Sequence, residues 1–508
     1  MKPERALTAL EIYALAFGLF LGFCIWKFGN PVILDHNIDP PATPAEFWNY
    51  AWPTHWANWI LFPLAGIGGI LMLKYPGGGD SEKSKIENRK SKINKWLWLP
   101  PLLWLGWQFL SASHSVDANL TAATLWQFAG CVACYFLGAS LLGGRRATTF
   151  LLIGVLAAFT FCLIRAVDQR VVEFPQSRQV MLEGERAGWT NIPPEALLQM
   201  KRDHSIITTN GVDVANPAFL DKVTKGRVYG TLVYPNALAG LVLLVLPLSL
   251  TLVFGAKNLR PTVHAAAIVT VLLLGGAGFF WTGSKLGWLV AMAIGGLYLL
   301  RLNWPSGLKI AAIAAVAILG LGIFAARFHT YFAAGATSAG ARLDYWRAAV
   351  QTTEINPLFG TGPGTFQRPY AQIKPPDAEM ARLAHNDYLE QFSDSGIPGG
   401  IFYLAWIALA LGSIGIKVWK SENATPQKER GVGVQASACR GNKPELQQAA
   451  GGSPALRFAL FAGVLGWFMQ GIGEFSLYIP ALAWTAFTLL GWLQAPAGNQ
   501  FDKKPAVG

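Results

Sequence analysis

The sequence predicts an all-α polytopic integral membrane protein, and three observations carry that class. The 508 residues are 52% hydrophobic and only 14% charged, where a soluble domain carries about 25% charged residues. Mean hydropathy is positive, at +0.34. The apolar residues stand in unbroken runs such as Leu238 to Phe254 and Ala311 to Ala326, and a run of roughly 20 spans a bilayer as a helix. Lipid cannot hydrogen-bond a backbone, so spans are helices or closed barrels. Continuous rather than alternating runs select helices.

Hydropathy places about twelve spans. The first, 10–28, has no small-residue cleavage site after it and reads as a retained anchor. Segment 57–74 follows, then a basic connection over 75–95, where "SKIENRK" is followed by "SKINK". Next come 96–111, 122–142 and 147–165. Cys131 and Cys134 form a CxxC inside the fourth span, with no second pair or nearby His to complete a metal set. Like Cys24 and Cys162 they read as core packing, and with Cys439 they imply no disulfide framework.

A long connection, 166–232, contains "NIPPEALLQMKRD" (191–203), a helix with Pro at its start. Spans 233–255, 262–281, 286–301 and 309–326 follow. A second long connection, 327–397, holds an amphipathic helix from Leu343 to Thr353, ending before Asn356–Pro357. "GTGPG" (360–364) lacks the strand and helix flanks of a nucleotide fingerprint and reads as a turn. "SGIPGG" (395–400) reads as a turn that re-enters the membrane before span 398–418. A polar stretch, 421–456, precedes the last spans, 457–474 and 477–494.

Basic residues orient the chain, because cytoplasmic connections carry the excess of Lys and Arg. Lys2 and Arg5, the 75–95 cluster, Arg145–Arg146, Lys257 with Arg260, Arg301 with Lys309, loop 419–456 and Lys503–Lys504 all fall on one side. The opposite connection 112–121 has no Lys or Arg. Both termini are therefore expected in the cytoplasm, with the two long connections outside, folded over a cavity. The net charge of +12 is mostly this topology signal; no basic face with motif support points to nucleic acid.

The chain divides accordingly. Residues 1–232 form an N-terminal half of five spans with loop 166–232. Residues 233–420 form a core of spans six to ten with loop 327–397. Residues 421–456 are a cytoplasmic low-complexity loop, and 457–508 are two spans and a tail.

The outer side gathers a few polar residues near span ends: Arg227, Lys285, Arg342, and His385 with Asn386. Three cations beside one imidazole suit an anionic substrate and a proton transfer. Each has a plainer reading. Arg227 and Arg342 can snorkel to lipid headgroups. His385 can cap a helix or tie one loop to another. Asn386 can simply orient its neighbours. Lys285 stands apart, since a lone Lys in a short outer turn runs against the charge rule and needs a local reason.

"RVYGTLVYPNALAG", "TGSKLGW", "ARLDYWRAAVQTTEINPLFGTGPGTF" and "AHNDYLEQFSDSGIPGG" occur in that order. Together, over about 225–420, they resemble the O-antigen ligase and O-antigen polymerase superfamily of bacterial envelope glycosyltransferases. The resemblance implies a fold of the polyprenol-dependent (GT-C) type in the bacterial inner membrane, with a periplasmic site. It implies transfer of a glycan from an undecaprenyl diphosphate carrier to an acceptor hydroxyl: lipid A-core in ligases, another carrier-linked unit in polymerases. The block from Arg342 to Gly399 carries it most specifically.

Under this resemblance Arg227 matches the family's essential arginine and His385 its essential histidine. Ser284–Lys285 stands where the family often has Ser-Arg, and an ammonium cannot make the two parallel bonds a guanidinium makes to phosphate. The expected reaction is inverting and needs no metal or other cofactor. Arg227, Lys285 and Arg342 hold the diphosphate, His385 takes the hydroxyl proton and Asn386 supports it. The partners are the carrier-linked glycan, a lipid-linked or glycan acceptor, and membrane lipids. A small-anion transporter is the alternative of another class. Its charges would sit near the bilayer midplane, whereas these cluster at span ends.

Overall fold

A computed structural model describes residues 7–74, 98–333, 337–423 and 453–495. The basic connection 75–95, Lys2 and Arg5, most of the polar stretch 421–456 with Cys439, and Lys503–Lys504 lie outside the described residues. What is described is mostly helical, with one two-stranded antiparallel hairpin, Ile206–Thr209 against Val212–Ala215.

Every predicted span falls on a helix. Among the described residues, eight helices are long and apolar enough to cross a membrane. The other four predicted segments lie on the shorter helices Leu99–Ala112, Lys285–Arg301, Pro454–Gln470 and Pro480–Gln494. The last is 15 residues long, about 22 Å at 1.5 Å per residue, against a hydrocarbon core of about 30 Å. All fifteen of its residues are buried. A helix apolar all round belongs in an interior, and this one packs against Ala9–Lys27, Ala118–Ser140, Pro454–Gln470 and the Asp387–Asn423 helix. Ser306–Ala333 is its opposite: of its described residues only Phe328 is buried, while Ile318 and Leu319 stand exposed. An apolar helix uncovered along its length has lipid as its natural surroundings.

A close crossing joins Ala9–Lys27 to Arg145–Asp168. A Cβ on Gly154 would lie 2.1 Å from the Gly18 carbonyl oxygen. Small residues permit such backbone contact, and close packing is what drives helices together in lipid. Cys24, Cys131, Cys134 and Cys162 are free and buried, as core residues are expected to be.

One expectation is corrected and two are refined. Residues 166–186 are not loop: the fifth span's helix continues through a π-turn, Gln169–Glu173, to Arg186. The helix expected over Leu343–Thr353 runs from Thr337 to Ile355. "SGIPGG" holds a turn between two helical stretches of Asp387–Asn423: Gly396, at φ 70° and ψ −178°, is non-helical and kinks the chain. Gly396 alone absorbs the bend because it has no Cβ to clash in that conformation. The freed amide of Ile397 donates to the Pro357 carbonyl at 2.8 Å. The predicted helix at 191–203 is present as Pro194–Arg202, and "GTGPG" is a turn with positive φ at Gly360, Gly362 and Gly364.

Candidate active site

Helix ends converge on one small cleft. Here the start of Pro235–Gly255, the end of Pro261–Thr282, the start of the Asp387–Asn423 helix and the loop after Gln470 meet. The cleft encloses about 150 Å³, and Arg227, Asn236, His385, Glu474 and Phe475 line it.

Arg227 arrives on the segment that follows the Pro217–Lys225 helix. Gly226 ends that helix in the left-handed region, φ 58°, as a residue without a Cβ does readily. Gln169, in the π-turn, then holds the segment. Its side-chain oxygen accepts from the amides of Tyr229 (3.1 Å) and Gly230 (2.8 Å), and its amide donates to the Gly230 carbonyl at 3.0 Å. Arg227 Nε donates to the Thr282 carbonyl at 2.7 Å, and Nη2 to Asn236 Oδ1 at 2.8 Å. A cation at a helix C-terminus complements the exposed carbonyls there. Burial pushes the guanidinium's pKa below its usual value; Glu474 opposes that shift and Arg342 adds to it. A charge so poorly solvated gains from any anion that reaches it.

His385 occupies the left-handed region, φ 51°, uncommon for a residue with a Cβ. The residues after it explain how it is held there. Asn386 caps the next helix, its Oδ1 accepting from the amides of Tyr388 and Leu389. The Asp387 amide donates to the Gly471 carbonyl (2.8 Å) and the Glu474 carbonyl (3.2 Å). The imidazole stacks on Tyr345 and meets the edge of Phe475. Its Nδ1 is buried without a hydrogen-bond partner, 3.8 Å from Glu474 Oε2.

Glu474 is the centre of the cleft's polar network. Its Oε1 accepts from Arg342 Nη2 and from Asn236 Nδ2, each at 2.7 Å. Arg342 thus reaches the cleft through Glu474. Lys285 turns elsewhere: its ammonium sits 3.8 Å from the Tyr331 ring centre and 5.3 Å from that of Phe328. It is the first residue of its helix, where the macrodipole disfavours a cation, and the two ring faces offset that cost. The charges of Arg227 and Arg342 still bear on it.

Of the five residues singled out in the sequence, Arg227 and His385 line the cleft, Arg342 is tied to it, Asn386 positions the backbone under His385, and Lys285 stands beside it. Sequence reasoning passed over Glu474, Asn236 and Gln169. Glu474 had a signal. It is a lone carboxylate in "QGIGEFSLYIP" between two apolar runs, and an ionisable residue in such a setting is a functional candidate by default. Among the described residues no group of three His, Cys, Asp or Glu side chains is arranged to hold a metal ion.

Residues 270–404 match the family described as O-antigen ligase. The matched stretch includes Lys285, Arg342, His385 and Asn386; Arg227 and Glu474 lie outside it. No curated protein matches the chain.

Proposed function

We propose, from the O-antigen ligase domain at residues 270–404, that the chain moves a glycan from undecaprenyl diphosphate to an acceptor hydroxyl, of lipid A-core or a similar lipid-linked glycan, at the periplasmic face of the inner membrane. The observation that carries this reading is the meeting of Arg227 and His385 in one cleft, although they lie 158 positions apart in the chain. One offers a desolvated cation and the other a base.

The diphosphate docks against Arg227, whose Nη1 makes no hydrogen bond among the described residues, with Lys285 beside it. The acceptor oxygen attacks the anomeric carbon. The bond from that carbon to the phosphate oxygen breaks, and its electron pair leaves with the diphosphate. Neutral His385 takes the hydroxyl proton, as an imidazole does well near neutral pH. Nδ1 is the buried nitrogen, and this mechanism assigns the acceptor's proton to Nε2. Fixed cations stabilise the departing charge, and one such contact is worth roughly 10²–10³ in rate. A single displacement inverts the anomeric centre.

The ligase and the polymerase share every step but the acceptor. The test is transfer from undecaprenyl-diphosphate-linked glycan in membranes, offering lipid A-core or a second carrier-linked unit. Wild type is expected to transfer to one of them, and His385→Ala and Arg227→Ala to lose that transfer by about 10²-fold or more. Full transfer without His385 removes it as the base.

A further inference from the structure

Glu474 is the only acidic side chain lining the His385 cleft among the described residues. Its side chain is 5% exposed, and a carboxylate that far out of water requires compensation. Oε1 has it, from Arg342 and Asn236. Oε2 faces His385 Nδ1 at 3.8 Å, and Nδ1 is itself buried and unpartnered. Two complementary polar atoms thus confront one another just beyond hydrogen-bond distance, about 3.2 Å at most. Catalytic hydrogen bonds are often long in an empty site and tighten when substrate docks.

We propose that Glu474 is the positioning residue for His385. Oε2 accepts a hydrogen bond from Nδ1–H and so selects the tautomer whose Nε2 carries the free lone pair toward the cleft. When Nε2 takes the acceptor's proton, the ring becomes an imidazolium with Glu474 as its counter-charge. Through Oε1 the same carboxylate fixes Arg342, and through Asn236 it reaches Arg227. Base and diphosphate-binding cation therefore hang from one buried group. This inference rests on the glycan-transfer reading and adds to it a residue outside the matched domain.

The plainer role, an ion pair that only neutralises Arg342, makes different predictions. Glu474→Gln keeps an oxygen for Arg342 and Asn236 but turns an NH2 donor toward Nδ1. That favours the wrong tautomer, with the proton on Nε2, and a wrong tautomer behind a catalytic histidine costs about 10⁴ in kcat. The expected result is a kcat lower by about 10²–10⁴, with KM for the carrier-linked glycan within about threefold of wild type. Glu474→Asp, which keeps the carboxylate, recovers at least about tenfold of the loss.

The experiment measures kcat and KM for the full-length chain in nanodiscs, alongside melting temperature and a 15N spectrum of the imidazoles. The His385 signal is assigned by its absence in His385→Ala. Wild type is expected to show the Nδ1–H tautomer at His385, and Glu474→Gln the Nε2–H tautomer. An unchanged spectrum, or equal loss in Gln and Asp variants that tracks melting temperature, overturns the proposal. Failure of wild type with every acceptor removes the glycan-transfer reading instead, and the spectrum still decides whether Glu474 orients the ring.

Discussion

At the scale of single residues, the site depends on buried polar groups that hold one another. Arg227 shows it. Two of its nitrogens are committed to Thr282 and Asn236, so the guanidinium is aimed before any ligand arrives. A lysine offers one point of charge and no fork, and the Thr282 carbonyl would compete for it. Arg227→Lys is therefore expected to retain under about 10% of wild-type transfer, read as initial rate at matched expression. Asn386 acts one step removed. Loss of its cap costs about 1 kcal/mol, and the backbone it steadies carries His385 in the left-handed region. Asn386→Ala should lower both melting temperature and transfer, while Asn386→Asp, which can still accept from the same amides, keeps most of each. Lys285→Arg is expected to remain active, since the π contacts with Tyr331 and Phe328 accept a guanidinium as readily as an ammonium.

At the scale of elements, two irregularities place the site. The π-turn at 169–173 presents Gln169 to the Arg227 segment, and short π segments inside α-helices often mark functional places. Gln169→Leu would bury three unsatisfied backbone groups at Tyr229 and Gly230, each costing about 1–3 kcal/mol. The segment is expected to loosen, with KM for the carrier-linked glycan rising and a protease cut appearing near 226–234. The kink at Gly396 is the second. A Cβ there would lie 2.2 Å from the Leu358 carbonyl oxygen, in a backbone region that disfavours side chains. Gly396→Ala should shift the "NPLFGTGPGTF" turn against the helix and lower the melting temperature, whereas alanine at the uncrowded Gly412 should not.

At the scale of the whole molecule, the charge bias and the site make one joint prediction about sidedness. The hairpin tip near Thr209 belongs to the same connection as Arg227, and Asn303 lies in a connection with basic neighbours. With Cys439→Ser as background, Thr209→Cys should react with an impermeant maleimide from the periplasmic side. Asn303→Cys should react only after the inner membrane is broken. The reverse pattern would place the cleft in the cytoplasm and remove the proposed donor, which is displayed outside.

How much of this was legible in the sequence varies with the range of the interactions involved. Membrane class and the helical segments are local properties: an apolar run must satisfy its own backbone in lipid, whatever its neighbours do. Arg227, Arg342 and His385 were legible too, because their motifs are contiguous and charges beside apolar runs are conspicuous. The sequence could not say that 166–186 stays helical or how the turn at "SGIPGG" is held. Both depend on distant partners, Gly230 for the π-turn and Pro357 for the kink. Nor could it tell that Lys285 faces two rings, or that Glu474 joins Asn236, Arg342 and His385. Two of those contacts are hydrogen bonds that bridge 132 and 238 positions, and no local pattern encodes such a meeting. Composition and periodicity determined what the chain is made of and where it can live. Which buried carboxylate meets which base was decided only by tertiary packing, because a charge withdrawn from water is stabilised by whatever the fold brings within 3 Å, however far away it lies in the chain.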